Sequence, residues 1–355
     1  MRIILTAGGT GGHIYPALAV LDTIKKDKHN EYLYIGTKDR MESDLIPSLN
    51  IPYNSLEIYG LNKNIIKDFK NIKCVFKSIK QSKNIIKEFK PDAVIAFGGY
   101  VTLPVIIAAK KLKVKTYIHE QNYIPGKVNK YLSKYADAIF ISFEETKKYF
   151  KNKNTIYTGN PCSERAKTIS PIDKTTLGFT KDKKLILIVM GSMGSSVVND
   201  KLKEFLQTYE EQDKEILFIT GKKLYENFKK LKVPKSTKIM PYLENLSGLM
   251  KQTDLIISRA GASTISEILA LDLPSILIPS PYVANNHQYY NALDLDKKGV
   301  SKMLEQTELN SETLKSTIKE ILDDKKTYLE YKDKLKNITK IDSSTKIYDY
   351  IKQNL

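Results

Sequence analysis

Residues 2–13 read R-I-I-L-T-A-G-G-T-G-G-H, and residues 184–195 read K-L-I-L-I-V-M-G-S-M-G-S. Each is a short apolar run closed by a glycine-dense turn. Such a run suits a strand buried on both faces of a parallel sheet. The residues after each turn, 13–27 and 197–209, carry apolar positions at helical spacing, with Pro16 placed in the first helical turn. Strand, glycine turn and helix open a Rossmann-type fold, and here the unit occurs twice, about 180 residues apart. Further strands are expected at 32–35, 93–96, 116–118 and 138–141, then at 215–219, 237–240, 254–257 and 275–278, with a helix over 101–112. The class is α/β, with two Rossmann-like domains facing a central cleft and ligands at the carboxyl ends of the strands. The stretch 159–182, with Pro161, Pro171 and Gly178, breaks the rhythm and reads as a linker. The expected domains are therefore 1–160 and 161–340. The polar, helical tail ends in a helix over 341–355 that packs back toward the N-terminal domain.

The 355 residues suit roughly two domains. Lys and Arg number 57 against 40 Asp and Glu, a net charge of +17. That excess suggests an anionic partner: nucleic acid, an anionic membrane or a phosphorylated substrate. It is uneven, because residues 1–163 hold 26 Lys and Arg against 14 acids while the rest hold 31 against 26. Its centre is 63–90, where nine lysines and two acids alternate with apolar residues at three- and four-residue steps. This is a basic amphipathic helix or helix pair, the pattern of an interfacial membrane element. Lys63, Lys67, Phe69, Lys70, Lys73, Phe76, Lys77 and Lys80 are its membrane-facing candidates; the alternative is an ordinary surface helix with its apolar stripe on the sheet. A nucleic-acid partner is set aside, since no reader motif is present and Trp is absent. Two cysteines are too few for a disulfide framework or a thiolate zinc site. The four histidines do not pair at metal-ligand spacing, so no metal and no cofactor are expected. No apolar run approaches the roughly 20 residues of a spanning helix, and the N-terminus does not read as a signal peptide.

The first glycine turn is not a dinucleotide fingerprint: the third glycine would fall at Ile14, and the second strand ends in Gly36-Thr37 instead of an acid. Nor does Gly-Lys-Ser/Thr follow, as a phosphate loop requires. It remains a glycine turn at a helix N-terminus, which favours anionic or partly charged oxygens. His13, just after it, is placed to act as general base or phosphate contact. In the second domain, Gly191–Ser195 and Arg259-Ala260-Gly261-Ala262-Ser263-Thr264 are further anion-binding candidates. Glu267 could accept hydrogen bonds from ribose hydroxyls. His119-Glu120-Gln121-Asn122 lacks the second histidine of a zinc helix motif. Asp294-Leu295-Asp296 matches a bare D-x-D, but residues two apart on a helix face different sides.

In this order the motifs resemble the MurG family, peripheral N-acetylglucosaminyltransferases of peptidoglycan synthesis. The resemblance rests on Gly8–His13, Gly98-Gly99-Tyr100-Val101 with Pro104, and His119–Asn122. It continues through Gly159-Asn160-Pro161, Arg259–Ala262 leading to Ser266-Glu267, and Gln288 with Asn291-Ala292. It implies a GT-B fold and transfer of GlcNAc from UDP-GlcNAc to lipid I, giving lipid II. It implies an enzyme at the cytoplasmic face of the bacterial cell membrane, with cell-wall synthesis proteins as candidate partners. By the same resemblance, Glu267 holds the ribose, Leu243 offers backbone groups to the uracil, and Ser192, Gly261 and Ala262 face the diphosphate. Gln288 binds the GlcNAc hydroxyls. Thr10, Gly11, Gly12 and Asn122 line the donor–acceptor junction, beside His13. Gly98, Gly99, Tyr100, Glu120 and Asn129 are acceptor-side. The chain departs from the family in carrying Cys162 and Ser163 after Gly-Asn-Pro, with Arg165 the first arginine, and in Met193 and His287 where glutamines are common. The alternative is another GT-B enzyme, a lipid glycosyltransferase or a UDP-GlcNAc 2-epimerase.

Overall fold

The computed structural model describes the chain except residues 60–64, 152, 192, 193 and 339, and except the side chains of 65–72. It divides into two compact units, 1–164 with 341–355, and 165–340.

The first unit runs β1 (Arg2–Ala7), α1 (Gly11–Ile24), β2 (Glu31–Thr37), α2 (Met41–Ser48), β3 (Tyr53–Leu56), α3 (Ile65–Phe89) and β4 (Ala93–Gly98). It continues with α4 (Thr102–Lys111), β5 (Lys115–Glu120), α5 (Lys127–Leu132), β6 (Ala138–Ile141) and β7 (Thr155–Tyr157). Its seven strands are parallel, in the order β3-β2-β1-β4-β5-β6-β7. Alternate residues of a strand point to opposite faces. Ile3 and Leu5 of β1 accordingly enter one core with Ile14, Leu18 and Leu21 of α1, while Ile4 enters another with Val105 and Ile106 of α4. Both faces are buried, so the strand reads as a continuous apolar run.

The second unit repeats the design. Its elements are β8 (Lys184–Val189), α7 (Ser196–Lys201), α8 (Lys203–Thr208), β9 (Lys214–Ile219), β10 (Thr237–Met240), α9 (Leu246–Met250) and β11 (Leu255–Ser258). Then come α10 (Ala262–Ala270), β12 (Ser275–Leu277), α11 (His287–Lys297), β13 (Lys302–Met303), α12 (Ser311–Leu322) and α13 (Lys325–Asn337). The strand order is β10-β9-β8-β11-β12-β13. In both sheets the order reverses beside the first strand, between β1 and β4 and between β8 and β11. Such a switch point opens a crevice at the strands' carboxyl ends.

Three details differ from the sequence reading. Residues 162–168 form a helix, α6 (Cys162–Thr168), inside the stretch read as a linker. Asn160 and Pro161 start that helix instead of breaking structure: the Asn160 side-chain oxygen accepts from the Cys162 N–H at 3.1 Å. α1 begins two residues earlier than expected, so Pro16 lies in its second turn and withholds the N–H that would bond the Gly12 carbonyl. The short edge strands β3 and β7 and the two-residue β13 were not anticipated.

The last helix (Ser343–Gln353) belongs to the first unit. Ile347 and Ile351 enter the α1 core, and Tyr350 packs edge-on against Tyr117 and Phe140. The Glu164 carboxyl, pushed up to about 7 by burial, receives the Ser344 N–H at 2.8 Å. Ile351→Ala should cost about 2–5 kcal/mol, the usual range for emptying a buried isoleucine site. A denaturant titration that showed no shift in midpoint would mean that this helix is not part of the first unit's core.

Candidate active site

The turn after β1 is held by backbone. Gly8 N–H donates to the Gly98 carbonyl at 3.2 Å. Gly99 has φ of +90°, and a Cβ there would stand 2.4 Å from the Gly8 oxygen. The turns after β1 and β4 thus interlock, and only glycine permits it. Thr102 Oγ1 donates to the Gly99 carbonyl and anchors the second turn to α4. Tyr100 projects from it, half exposed.

His13 lies in the first turn of α1, partly buried. Its Nδ1 is 3.0 Å from the Gly8 carbonyl oxygen. A carbonyl only accepts, so Nδ1 carries the proton and a neutral ring keeps its lone pair on Nε2. The ring lies against Gly98, where a Cβ would meet Cδ2 at 2.8 Å and Nε2 at 3.0 Å. Thr10, at the N-cap of α1, and Gly12 are exposed, and Thr10 makes no side-chain cap.

A residue absent from the sequence reading lies beneath this turn. Glu42, on α2, is fully buried. One carboxylate oxygen accepts from Gly9 N–H at 3.0 Å; the other accepts from Thr37 N–H at 3.0 Å and Thr37 Oγ1 at 2.6 Å. The Tyr53 hydroxyl bonds the Thr37 carbonyl, and burial with the Glu42 charge raises that phenol well above its usual range. The anion that a glycine turn invites is here partly supplied by the protein itself.

The segment after β5 is organised from inside. Glu120 is buried; its oxygens accept from Asn122 N–H at 2.9 Å, Gly126 N–H at 3.0 Å and the Asn129 amide at 2.9 Å. Glu120 and Asn129 therefore shape this loop and are covered by it. His119 Nε2 donates to the Gly159 carbonyl at 3.0 Å, and burial pulls the ring down to about 4, so it is neutral. Gln121 donates to the Phe97 carbonyl at 2.7 Å.

In the second unit, the turn after β8 has left-handed Gly191 and Gly194. A Cβ on Gly194 would stand 2.1 Å from the Thr220 carbonyl oxygen. Ser192 and Met193 lie outside the described residues. The buried Arg259 joins this turn to its neighbours. It donates to the carbonyls of Ile278 and Pro279, both at 3.2 Å, to Ser195 Oγ at 2.7 Å and to Gln306 Oε1 at 2.8 Å. All four acceptors are neutral. Desolvation lowers the guanidinium to about 10, which still leaves it charged at neutral pH. Gly261 caps α10 with Ala262 as its first residue, and Asn291 steadies the approach through the Ala260 carbonyl at 3.1 Å.

Glu267 sits on α10 and accepts from Ser247 Oγ at 3.3 Å. Burial raises its carboxyl to about 7, with the Ser247 hydrogen bond and then the positive charge of Arg165 opposing the rise. Arg165, whose reach the sequence left open, is thus close enough to act on Glu267. Leu243 lies in the irregular stretch before α9, and neither of its backbone groups is engaged among the described residues. Gln288 Oε1 accepts from Ser280 N–H at 2.9 Å, leaving its amide nitrogen as a donor. Asp294 pairs with Lys298 while Asp296 receives Met303 N–H, so the two carboxylates face different partners. Among the described residues no cluster of three or more metal-ligating side chains occurs.

α3 is one helix. Ile86, with Val75, Ile85 and Phe89, packs into the core shared with α4, and Ser78 and Gln81 donate to carbonyls beside β3. Lys73, Lys77 and Lys80 are exposed around Phe76, itself 69% exposed. Lys63 and the side chains of Lys67, Phe69 and Lys70 lie outside the described residues. No helix among the described residues is long and apolar enough to cross a membrane.

Residues 3–141 match the glycosyltransferase family 28 N-terminal domain, and residues 185–351 match the glycosyltransferase family 28 C-terminal domain. The chain belongs to glycosyltransferase family 28. Within that family it is 39% identical to proteins of Bacillus licheniformis and Bacillus subtilis, over 99% of this chain and 98% and 99% of theirs. Both are named UDP-N-acetylglucosamine–N-acetylmuramyl-(pentapeptide) pyrophosphoryl-undecaprenol N-acetylglucosamine transferase. The solved MurG of Acinetobacter baumannii superposes with a TM-score of 0.79 at 27% identity, covering 99% of each chain. A Staphylococcus aureus MnaA–UDP structure shares the fold at 19% identity and a TM-score of 0.71. The GT-B architecture expected for this family 28 chain is the one described above.

Proposed function

We propose that the protein transfers GlcNAc from UDP-GlcNAc to the MurNAc 4-hydroxyl of lipid I, forming lipid II and UDP with inversion at the anomeric carbon. The observation that carries this reading is the full-length relationship to enzymes named for that reaction. In this reading the acceptor oxygen attacks the anomeric carbon, the bond to the diphosphate breaks, and UDP leaves with the electron pair. His13 Nε2 takes the hydroxyl proton, while Nδ1–H stays bonded to the Gly8 carbonyl. Charge grows on the leaving diphosphate, where backbone N–H groups after β8 and β11 and the Arg259 cation are the natural stabilisers. Ser192, Gly261 and Ala262 face that diphosphate, Glu267 takes the ribose, Leu243 the uracil and Gln288 the sugar hydroxyls. Thr10, Gly11, Gly12 and Asn122 line the sugar beside His13. Gly98, Gly99 and Tyr100 contact the acceptor, over a loop braced by Glu120 and Asn129.

The acceptor is carried by a lipid, and the exposed Lys73, Lys77 and Lys80 around Phe76 supply an apolar anchor inside a cationic ring. That pattern suits the anionic headgroups of the membrane's cytoplasmic face. Lys73→Glu and Lys80→Glu with Phe76→Ser should release the protein from vesicles containing anionic lipid at physiological salt. Undiminished binding would leave the basic charge as composition alone.

The reaction is tested with labelled UDP-GlcNAc and a lipid I analogue, with and without chelator. Product should require the acceptor and survive the chelator, whereas an epimerase would act without acceptor. His13→Ala should lower kcat by about 10²–10⁴, the range of general-base help, with donor affinity kept.

Glu267 supports a pH test. Its carboxyl, raised to about 7, is protonated below that pH and ionised above it. Only the ionised form accepts from both ribose hydroxyls through two bare oxygens. Donor KM should therefore fall as pH rises through about 7, and Glu267→Gln should raise KM and flatten that dependence. A variant with the wild-type pH dependence would remove Glu267 from the donor site.

A further inference from the structure

Two glycines leave room for the Glu42 side chain, independently of any ligand. A Cβ on Gly8 would stand 2.3 Å from Glu42 Oε1, and one on Gly36, in β2, would stand 2.5 Å from the Tyr53 hydroxyl and 2.7 Å from Glu42 Cγ. The side chain threads between the end of β2 and the turn after β1, and the backbone has been cleared to admit it. Its oxygens have separate duties. One holds Thr37 through two bonds, so it fixes the carboxyl group; the other reaches Gly9 N–H. Gly9 adjoins Gly8, whose N–H is bonded to Gly98 and whose carbonyl accepts from His13 Nδ1. The peptide that fixes the histidine tautomer is thus clamped on one side by β4 and on the other by Glu42. Among the described residues, no lysine or arginine is a partner of the carboxylate.

We propose that Glu42 is a positioning residue for the transfer reaction, fixing the His13 tautomer through Gly9 and Gly8. This rests on the reading of His13 as the base. Glutamine is nearly isosteric but cannot replace it: all three groups facing Glu42 are donors here, and an amide nitrogen turned toward Gly9 N–H or toward Thr37 N–H would oppose donor to donor. Aspartate keeps the charge but reaches one methylene less, too short to span Thr37 and Gly9.

The test uses the full-length enzyme, UDP-GlcNAc and a lipid I analogue, with kcat and donor KM measured separately. Glu42→Gln should lower kcat by about 10- to 100-fold, at or below the lower end of the range for general-base assistance, and leave donor KM unchanged. Glu42→Asp should lower kcat with donor KM likewise unchanged. A folded Glu42→Gln with wild-type kcat overturns the proposal, as does a fall in kcat matched by an equal-fold rise in donor KM. If the glutamine variant fails to fold, wild-type kcat in Glu42→Asp overturns it equally. His13→Ala separates the two readings. Unchanged turnover in that variant removes the base assignment itself. A crippled His13→Ala beside a normal Glu42→Gln removes only the role of Glu42.

Discussion

The first unit depends on two peptides that touch. Gly8 and Gly99 approach until a single added carbon would overlap the Gly8 oxygen, and the Gly8–Gly98 hydrogen bond locks them together. This contact sits where the sheet order reverses, so β1 and β4 diverge into their helices immediately beyond it. The His13 ring lies close against Gly98 and is bonded to Gly8. A side chain at Gly98 or Gly99 would displace the ring or part the turns. The glycines set the distance between strand ends, and that distance sets where an imidazole nitrogen stands.

The two units share a strand order but hold opposite charges at their switch points. Beneath the turn after β1 lies the carboxylate of Glu42, satisfied by two N–H groups and a hydroxyl. Beside the turn after β8 lies the guanidinium of Arg259, satisfied by neutral oxygens. A buried cation whose hydrogen bonds are met and which meets no carboxylate among the described residues presents a positive field, and such a field favours a diphosphate. The first turn has committed one of its own donors to an internal anion. One scaffold thus buries a cation beside one turn and an anion beneath the other, and the proposed reaction assigns the leaving group to the first and the proton acceptor to the second.

Much of this was legible in the sequence where a pattern is local. The apolar runs ending in glycine mark β1 and β8 because both faces of these strands are buried, and α3 reads as amphipathic because its inner and outer faces differ in composition. What was not legible depends on distant partners. Glu42 follows Arg40-Met41 in the first turn of a helix, where an acid is unremarkable; its donors, Gly9 and Thr37, come from other segments. Arg259 stands within a sequence motif, but its acceptors come from residues 195, 278, 279 and 306. Asn160-Pro161 can break structure or begin a helix, and the choice falls to helix here because the Asn160 side chain caps Cys162 N–H.

The lysines show how packing divides a pattern that sequence leaves whole. Apolar residues recur along α3 in a ratio that suits either a core or a membrane, and periodicity alone does not separate them. Ile86 goes to the core with Val75, Ile85 and Phe89, and the bonds from Ser78 and Gln81 to carbonyls beside β3 fix the helix's rotation about its axis. Phe76 cannot then turn inward, and it stands exposed among Lys73, Lys77 and Lys80. In the proposed reading that ring meets a membrane, and the ammonium groups beside it favour an anionic surface.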